Sequence, residues 1–160
     1  LGRVHFQLDD YDKAIQYYEA AQRAGYTVEL CQLAIAEVKR YAGEKEEAMR
    51  ILDNIFGPVE QSAEYLYQRG ATVAALGGNL DETFRLYQRA VTVDPRHQGA
   101  LFGLALENDR LGNDQQALEY YKRAANVVPA HIGTLINLGI IYEDRNDFAK
   151  AQACYRRVLE

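Results

Sequence analysis

One spacing governs this chain. The small residues Ala14, Ala48, Thr83, Ala117 and Ala151 stand 34, 35, 34 and 34 positions apart across a chain of 160 residues. Four residues beyond each comes a large side chain, Tyr18, Leu52, Tyr87, Tyr121 or Tyr155. Three further on sit Ala21, Ile55, Ala90, Ala124 and Val158. Offsets of four and seven place the members of each set on one face of a helix. The small member lets a second helix approach, and the tyrosine or leucine fills the space beside it. One such unit buries too little to be stable, whereas units stacked in phase share a continuous core.

The turns keep the same phase. Asp9, Gly43, Gly78, Gly112 and Asn146 precede the helices that carry these sets, and each is a residue type that tolerates positive φ. Asn79 with Glu82, and Asn113 with Gln116, have capping-box spacing. Gly57-Pro58, Pro95 and Pro129 close second helices. The pattern predicts helices over 1-8, 11-24, 30-42, 45-56, 63-76, 80-92, 98-111, 114-127, 132-144 and 148-160. The single 35-residue step is assigned to an extra residue after the second unit. Short connections throughout leave no interdomain linker, so a single array is expected.

Composition removes several classes of function. The charge of −5 and pI near 5.3 arise from interspersed acids and bases, which gives no reason to expect nucleic acid or an anionic membrane as partner. No apolar run approaches the roughly 20 residues of a membrane span. Cys31 and Cys154 form no paired motif and read as buried free thiols, in keeping with a cytoplasmic location.

No constellation for catalysis is visible. There is no P-loop, dinucleotide fingerprint, zinc spacing or nucleophile elbow, so the chain is read as a non-enzyme without cofactor or metal. His97 and His131 lie one repeat apart and read as polar turn residues; His5 has no ligand set around it. Tyr18 and Tyr121, within Tyr17-Tyr18 and Tyr120-Tyr121, fall on the repeated core position and read as packing residues. The acidic pairs Asp9-Asp10, Asp81-Glu82 and Glu143-Asp144 read as solvated caps.

With Leu104-Ala105, Gly112-Asn113, Ala117, Tyr121, Ala124 and Pro129 in one unit, and Leu138-Gly139, Tyr142, Asn146-Asp147-Phe148, Ala151 and Tyr155 in the next, the chain resembles the tetratricopeptide repeat family. The resemblance spans the whole chain as about five repeats: a truncated 1-28, then 29-62, 64-97, 98-131 and an incomplete 132-160, with 29-62 the weakest. It implies an all-α fold, a right-handed α-solenoid of antiparallel helix pairs with first helices lining a concave surface. Because Leu1 falls midway through a first helix and Glu160 near the end of a second, the chain is expected to be an excerpt of a longer protein.

The resemblance also implies a function, that of a scaffold binding a peptide or helix on the concave face. The alternative is a structural module that self-associates into a homo-oligomer. Carrying the family's ligand-facing positions across gives Leu33, Glu37, Arg40 and Tyr41, then Tyr65, Gln68, Arg69 and Thr72. The fourth unit adds Phe102, Leu106 and Arg110, and the fifth Ile136, Asn137 and Ile140. Arg40, Tyr41, Tyr65, Gln68, Arg69, Phe102, Leu106, Arg110, Asn137 and Ile140 are the candidate partner-binding residues, centred on Tyr65, Arg69, Phe102, Leu106 and Arg110. The family's clamp for acidic chaperone tails is not reproduced. Leu33 and Glu37, Phe102 and Leu106, and Ile136 and Ile140 stand where its Lys and Asn would be.

Overall fold

A computed structural model describes residues 1–159. Its helices are α1 (Gly2–Gln7), α2 (Tyr11–Arg23), α3 (Val28–Tyr41), α4 (Lys45–Asp53), α5 (Ala63–Ala75), α6 (Leu80–Val93), α7 (Gln98–Arg110), α8 (Asp114–Ala125), α9 (Ile132–Asp144) and α10 (Phe148–Val158). A 3-10 turn, Pro58–Gln61, lies between α4 and α5. The expected helices are all present, and no strand occurs among the described residues. The last predicted position, Glu160, lies outside them.

The chain divides into two compact units, Leu1–Val93 and Asp94–Glu160. Within the first, three antiparallel pairs (α1/α2, α3/α4, α5/α6) stack in order, and the first helices α3 and α5 touch directly. The second holds the pairs α7/α8 and α9/α10, joined through contact of α8 with α9. Both units are helix-pair solenoid segments, as the period requires.

The repeated side chains explain the packing. Ala14, Ala48, Thr83, Ala117 and Ala151 are all buried, as are Leu52, Tyr87 and Tyr121. Thr83 fits the alanine position because its hydroxyl donates to the Asn79 carbonyl at 3.3 Å, one turn back, and so brings no unsatisfied polar group into the core. Opposite three of the large residues, the first helix presents a glycine. A β-carbon added at Gly2 would lie 3.1 Å from the Tyr18 ring, at Gly70 2.9 Å from Tyr87, and at Gly139 2.3 Å from Tyr155.

These contacts correct the register of the third repeat. The small first-helix residue there is Gly70, one position before Ala71, the residue that the sequence pattern puts in that role. Four of the pairs are joined by three residues, whereas 76–79 between α5 and α6 has four. The extra residue therefore sits inside the third pair, not after the second.

The turn hydrogen bonds show how it is accommodated. In every pair a left-handed residue ends the first helix: Asp9, Gly43, Gly77, Gly112 and Asn146. Gly77, not Gly78, takes this role. The next residue's N–H bonds back to a carbonyl five positions earlier: Asp10 to His5, Glu44 to Lys39, Gly78 to Val73, Asn113 to Asn108, and Asp147 to Tyr142. That is the Schellman closure, which satisfies carbonyls that the helix end would leave bare. In four pairs the closing residue also opens the next helix, its carbonyl accepting from the N–H four residues on. In the third pair Gly78 closes α5 and Asn79 separately opens α6.

Two further expectations change. The Asn113 side chain makes no cap bond, and donates instead to Asn108 Oδ1 at 3.3 Å, so no capping box forms there. Asn79, by contrast, does cap α6, its Oδ1 accepting from the N–H of Asp81, the second residue of that helix, at 2.8 Å. Helix α4 stops at Asp53, three residues short of the expected end. Beyond it the Ile55 N–H bonds to the Leu52 carbonyl in a tightened turn, and Ile55 is buried against α3 and α5 residues. Gly57 at φ 92° then redirects the chain into the 3-10 turn.

Candidate functional site

The register shift decides which α5 residues share a face with α3. Counting from the small residue, Tyr67 corresponds to Leu33 and Phe102, Ala71 to Glu37 and Leu106, and Gln68 to Ala34 and Asn137. Of the α5 residues chosen from the sequence, only Gln68 stays on this face. Tyr65 is 7 % exposed, with its hydroxyl donating to the Leu52 carbonyl at 3.3 Å. Arg69 pairs with Asp53 at 2.7 Å and donates to the Tyr65 hydroxyl at 3.3 Å, on the side of α5 turned to α4. Thr72 is buried and donates to the Gln68 carbonyl. Tyr65 and Arg69 thus lie on the α4 side of α5, away from the face that carries Gln68: a single inserted residue rotates a helix position by about 100°.

In the first unit, Arg3 and Phe6 of α1, Leu30, Leu33 and Glu37 of α3, and Glu64 of α5 line one groove of about 460 Å³. A hydrogen-bonded chain runs along its edge. Arg40 Nη2 donates to Gln68 Oε1 at 3.2 Å, and Gln68 Nε2 donates to Glu64 Oε1 at 2.7 Å. The amide orientation follows from its neighbours, since the guanidinium needs an acceptor and the carboxylate a donor. With both ends held, Gln68 is only 1 % exposed, and it acts as a strut in place of a free contact. The Arg40 guanidinium also lies 4.5 Å from the centre of the exposed Tyr41 ring.

This network leaves one carboxyl short of compensation. Burial raises the pKa of Glu37, the neighbouring Glu64 charge raises it further, and Arg40, Gln68 and Arg3 only partly pull it back. Tyr67 beside it is pushed up to about 12, chiefly by burial. Glu64 and Tyr67 are not among the residues that the sequence pattern selects, because its register puts Tyr65 where Glu64 stands and Gln68 where Tyr67 stands.

The second unit presents a different surface. Ile136 and Ile140 on α9 are 40 % and 45 % exposed, one helical turn apart, and Ile132 extends the same row. Half-buried Phe102 and Leu106 of α7 belong to the corresponding positions. Phe102 packs edge-on to Tyr121 at 6.0 Å and to His131 at 4.9 Å, so it supports the core as well as meeting solvent. Asn137 is half-buried, and its Nδ2 donates to the buried Tyr121 hydroxyl at 3.1 Å. Arg110 is exposed and only loosely paired with Glu107 at 3.4 Å.

His97 and His131 prove to be helix caps. Nδ1 of His97 accepts from the Ala100 N–H at 3.1 Å, and Nδ1 of His131 from the Thr134 N–H at 3.3 Å. A backbone amide can only donate, so each ring presents an unprotonated Nδ1. Among the described residues no group of three or more His, Cys, Asp or Glu could hold a metal ion. No helix among them is long and apolar enough to cross a membrane.

Stacked helix pairs with small-to-large contacts at a fixed period, and turns closed by left-handed residues, define a helical-hairpin repeat protein. The chain belongs to the tetratricopeptide repeat family: models of that repeat match residues 1–24, 77–130 and 134–160. The unmatched stretch holds the weak second repeat and the first helix of the third. No curated protein sequence matches significantly. Solved structures with a similar fold include TTC0263, a thermophilic TPR protein of Thermus thermophilus, at 18% identity over 99% of this chain and 87% of that one, with a TM-score of 0.81. MamA matches at 21% identity over 99% and 92%, with a TM-score of 0.64. YrrB, described as a TPR protein with an unusual peptide-binding site, matches at 16% over 99% and 81%, with a TM-score of 0.59. At these identities the likeness establishes the fold alone.

Proposed function

We propose that this chain is a non-catalytic scaffold that binds a protein partner, a peptide or a helix, through the first-helix faces of its repeats. The carrying observation is the row of solvent-exposed isoleucines Ile132, Ile136 and Ile140 one helical turn apart on α9, with half-buried Phe102 and Leu106 at the corresponding positions of α7. Apolar anchors with a few polar groups at their rim, here Arg110 and Asn137, suit an interface in which a small number of contacts dominates. The general role in protein interaction accords with the family. YrrB, one of the structures of similar fold, is described as having a peptide-binding site.

The test is partner capture with the parent chain and with Ile136→Ser/Ile140→Ser. Both side chains are substantially exposed, so the variant should keep the parent's helical circular dichroism while losing the captured protein. Retention of the same partner at the same affinity by the folded variant would refute the assignment. Light scattering over a range of concentrations separates the self-association alternative: mass that rises with concentration, and stops rising in the variant, would identify a second copy as the occupant.

A further inference from the structure

We propose that the groove formed by α1, α3 and α5 takes a partner segment in which an apolar side chain is followed by a lysine or arginine. The apolar group would lie on Phe6, Leu30 and Leu33, and the cation would be received by Glu37 and Glu64. This deepens the partner-binding reading above and rests on it, but it concerns the first unit alone.

Geometry and charge both point this way. The groove, about 460 Å³, has room for one large side chain and part of a second. Leu30 is exposed at its mouth, Leu33 is buried at its base and Phe6 is half-buried beside it. Its two carboxylates come from neighbouring first helices, and the charge of Glu64 raises the cost of ionising Glu37.

The cations at the groove do not answer that cost in full. Arg40 is already committed to Gln68 and stacked on Tyr41, and Arg3 projects from exposed α1. The pKa of Glu37 stays raised despite both. A guest ammonium or guanidinium would supply the missing compensation, in a partly desolvated setting where charge-assisted hydrogen bonds are strong. A guest carboxylate would meet two carboxylates with only Arg3 uncommitted. The groove therefore selects by the sign of charge.

The experiment uses the whole chain and four pools of fluorescein-labelled, end-capped hexapeptides. Each pool has a fixed central leucine followed by Lys, Arg, Gln or Glu, with the remaining positions randomised, and is read by fluorescence polarisation. The Lys and Arg pools should bind at least tenfold more tightly than the Gln pool, and the Glu pool most weakly. In Glu37→Gln/Glu64→Gln that preference should vanish while the helical signal is unchanged. Glu119→Gln, which removes an exposed carboxylate in the other unit, should leave it intact. Equal binding of all pools, preference for Glu, or no binding by any pool would overturn the proposal. None of these outcomes bears on the isoleucine face, whose partner capture is tested separately.

Discussion

Deleting Gly78 should be milder than replacing it with alanine. In four of the pairs one residue both closes the Schellman turn and opens the following helix, and Asn113 after Gly112 is the nearest parallel. With Gly78 removed, Asn79 follows Gly77 directly and can take both roles. The turn then orders one residue fewer, which saves about 1–2 kcal/mol of backbone entropy and offsets the local adjustment of α6. Stability should stay within about 1 kcal/mol of the parent, or roughly 2–4 °C in Tm for a chain of this size.

Gly78→Ala keeps the longer turn and adds a β-carbon 2.8 Å from Val73 Cγ1 and 3.0 Å from the Val73 carbonyl oxygen. The backbone cannot swing aside as a side-chain tip could. The expected loss is about 1–3 kcal/mol. Deleting Ala63, close to where the sequence pattern puts the extra residue, would turn α5 by about 100° relative to its cap and carry Leu66 and Gly70 out of the core. Burial lost on that scale, at about 2–5 kcal/mol for each large core side chain, should abolish folding of the first unit. Urea and thermal melts followed by circular dichroism compare the three variants. If loss of Gly78 destabilises as severely as loss of Ala63, the α5 register set by Gly70 and Gly77 is wrong, and with it the placement of Tyr67 and Gln68 on the groove face.

Three further outcomes are expected. The folded chain holds the Glu37 proton more tightly than the unfolded chain, so its stability contribution declines as pH rises from the ordinary value of 4.5 through the raised one. Glu37→Gln should therefore raise Tm at pH 7.5, with the gain shrinking towards pH 4.5 in parallel melts. Burial lowers the pKa of His131, and its cap needs an unprotonated Nδ1, so the parent should lose stability as pH falls below 6.5. His131→Asn, which caps without titrating, should flatten that part of a Tm-against-pH curve. Gly139→Ala should cost about 1–3 kcal/mol in denaturant melts, because the new β-carbon displaces the Tyr155 ring and threatens its hydroxyl's 3.0 Å bond to Glu143.

The sequence by itself determined the repeat, the helices and most of the core, because these follow from local periodicity. Alanine, tyrosine and alanine at offsets of four and seven can share only one helical face, and Gly43, Gly112 and Asn146 mark turns by the backbone angles they tolerate. Where the extra residue sits was not legible, since Gly77 and Gly78 are equally able to turn and Gly70 and Ala71 are both small. Only packing against Tyr87 and Val73 distinguishes them. That choice decides where the α5 candidates lie: Gln68 meets Arg40 and Glu64, while Tyr65 and Arg69 turn towards α4 and Asp53. The groove's chemistry was hidden for a related reason. The raised pKa of Glu37 comes from its burial and from the charge of Glu64 on the next first helix, with Arg40 and Gln68 opposing it, a juxtaposition set by how the pairs stack, which no single repeat encodes.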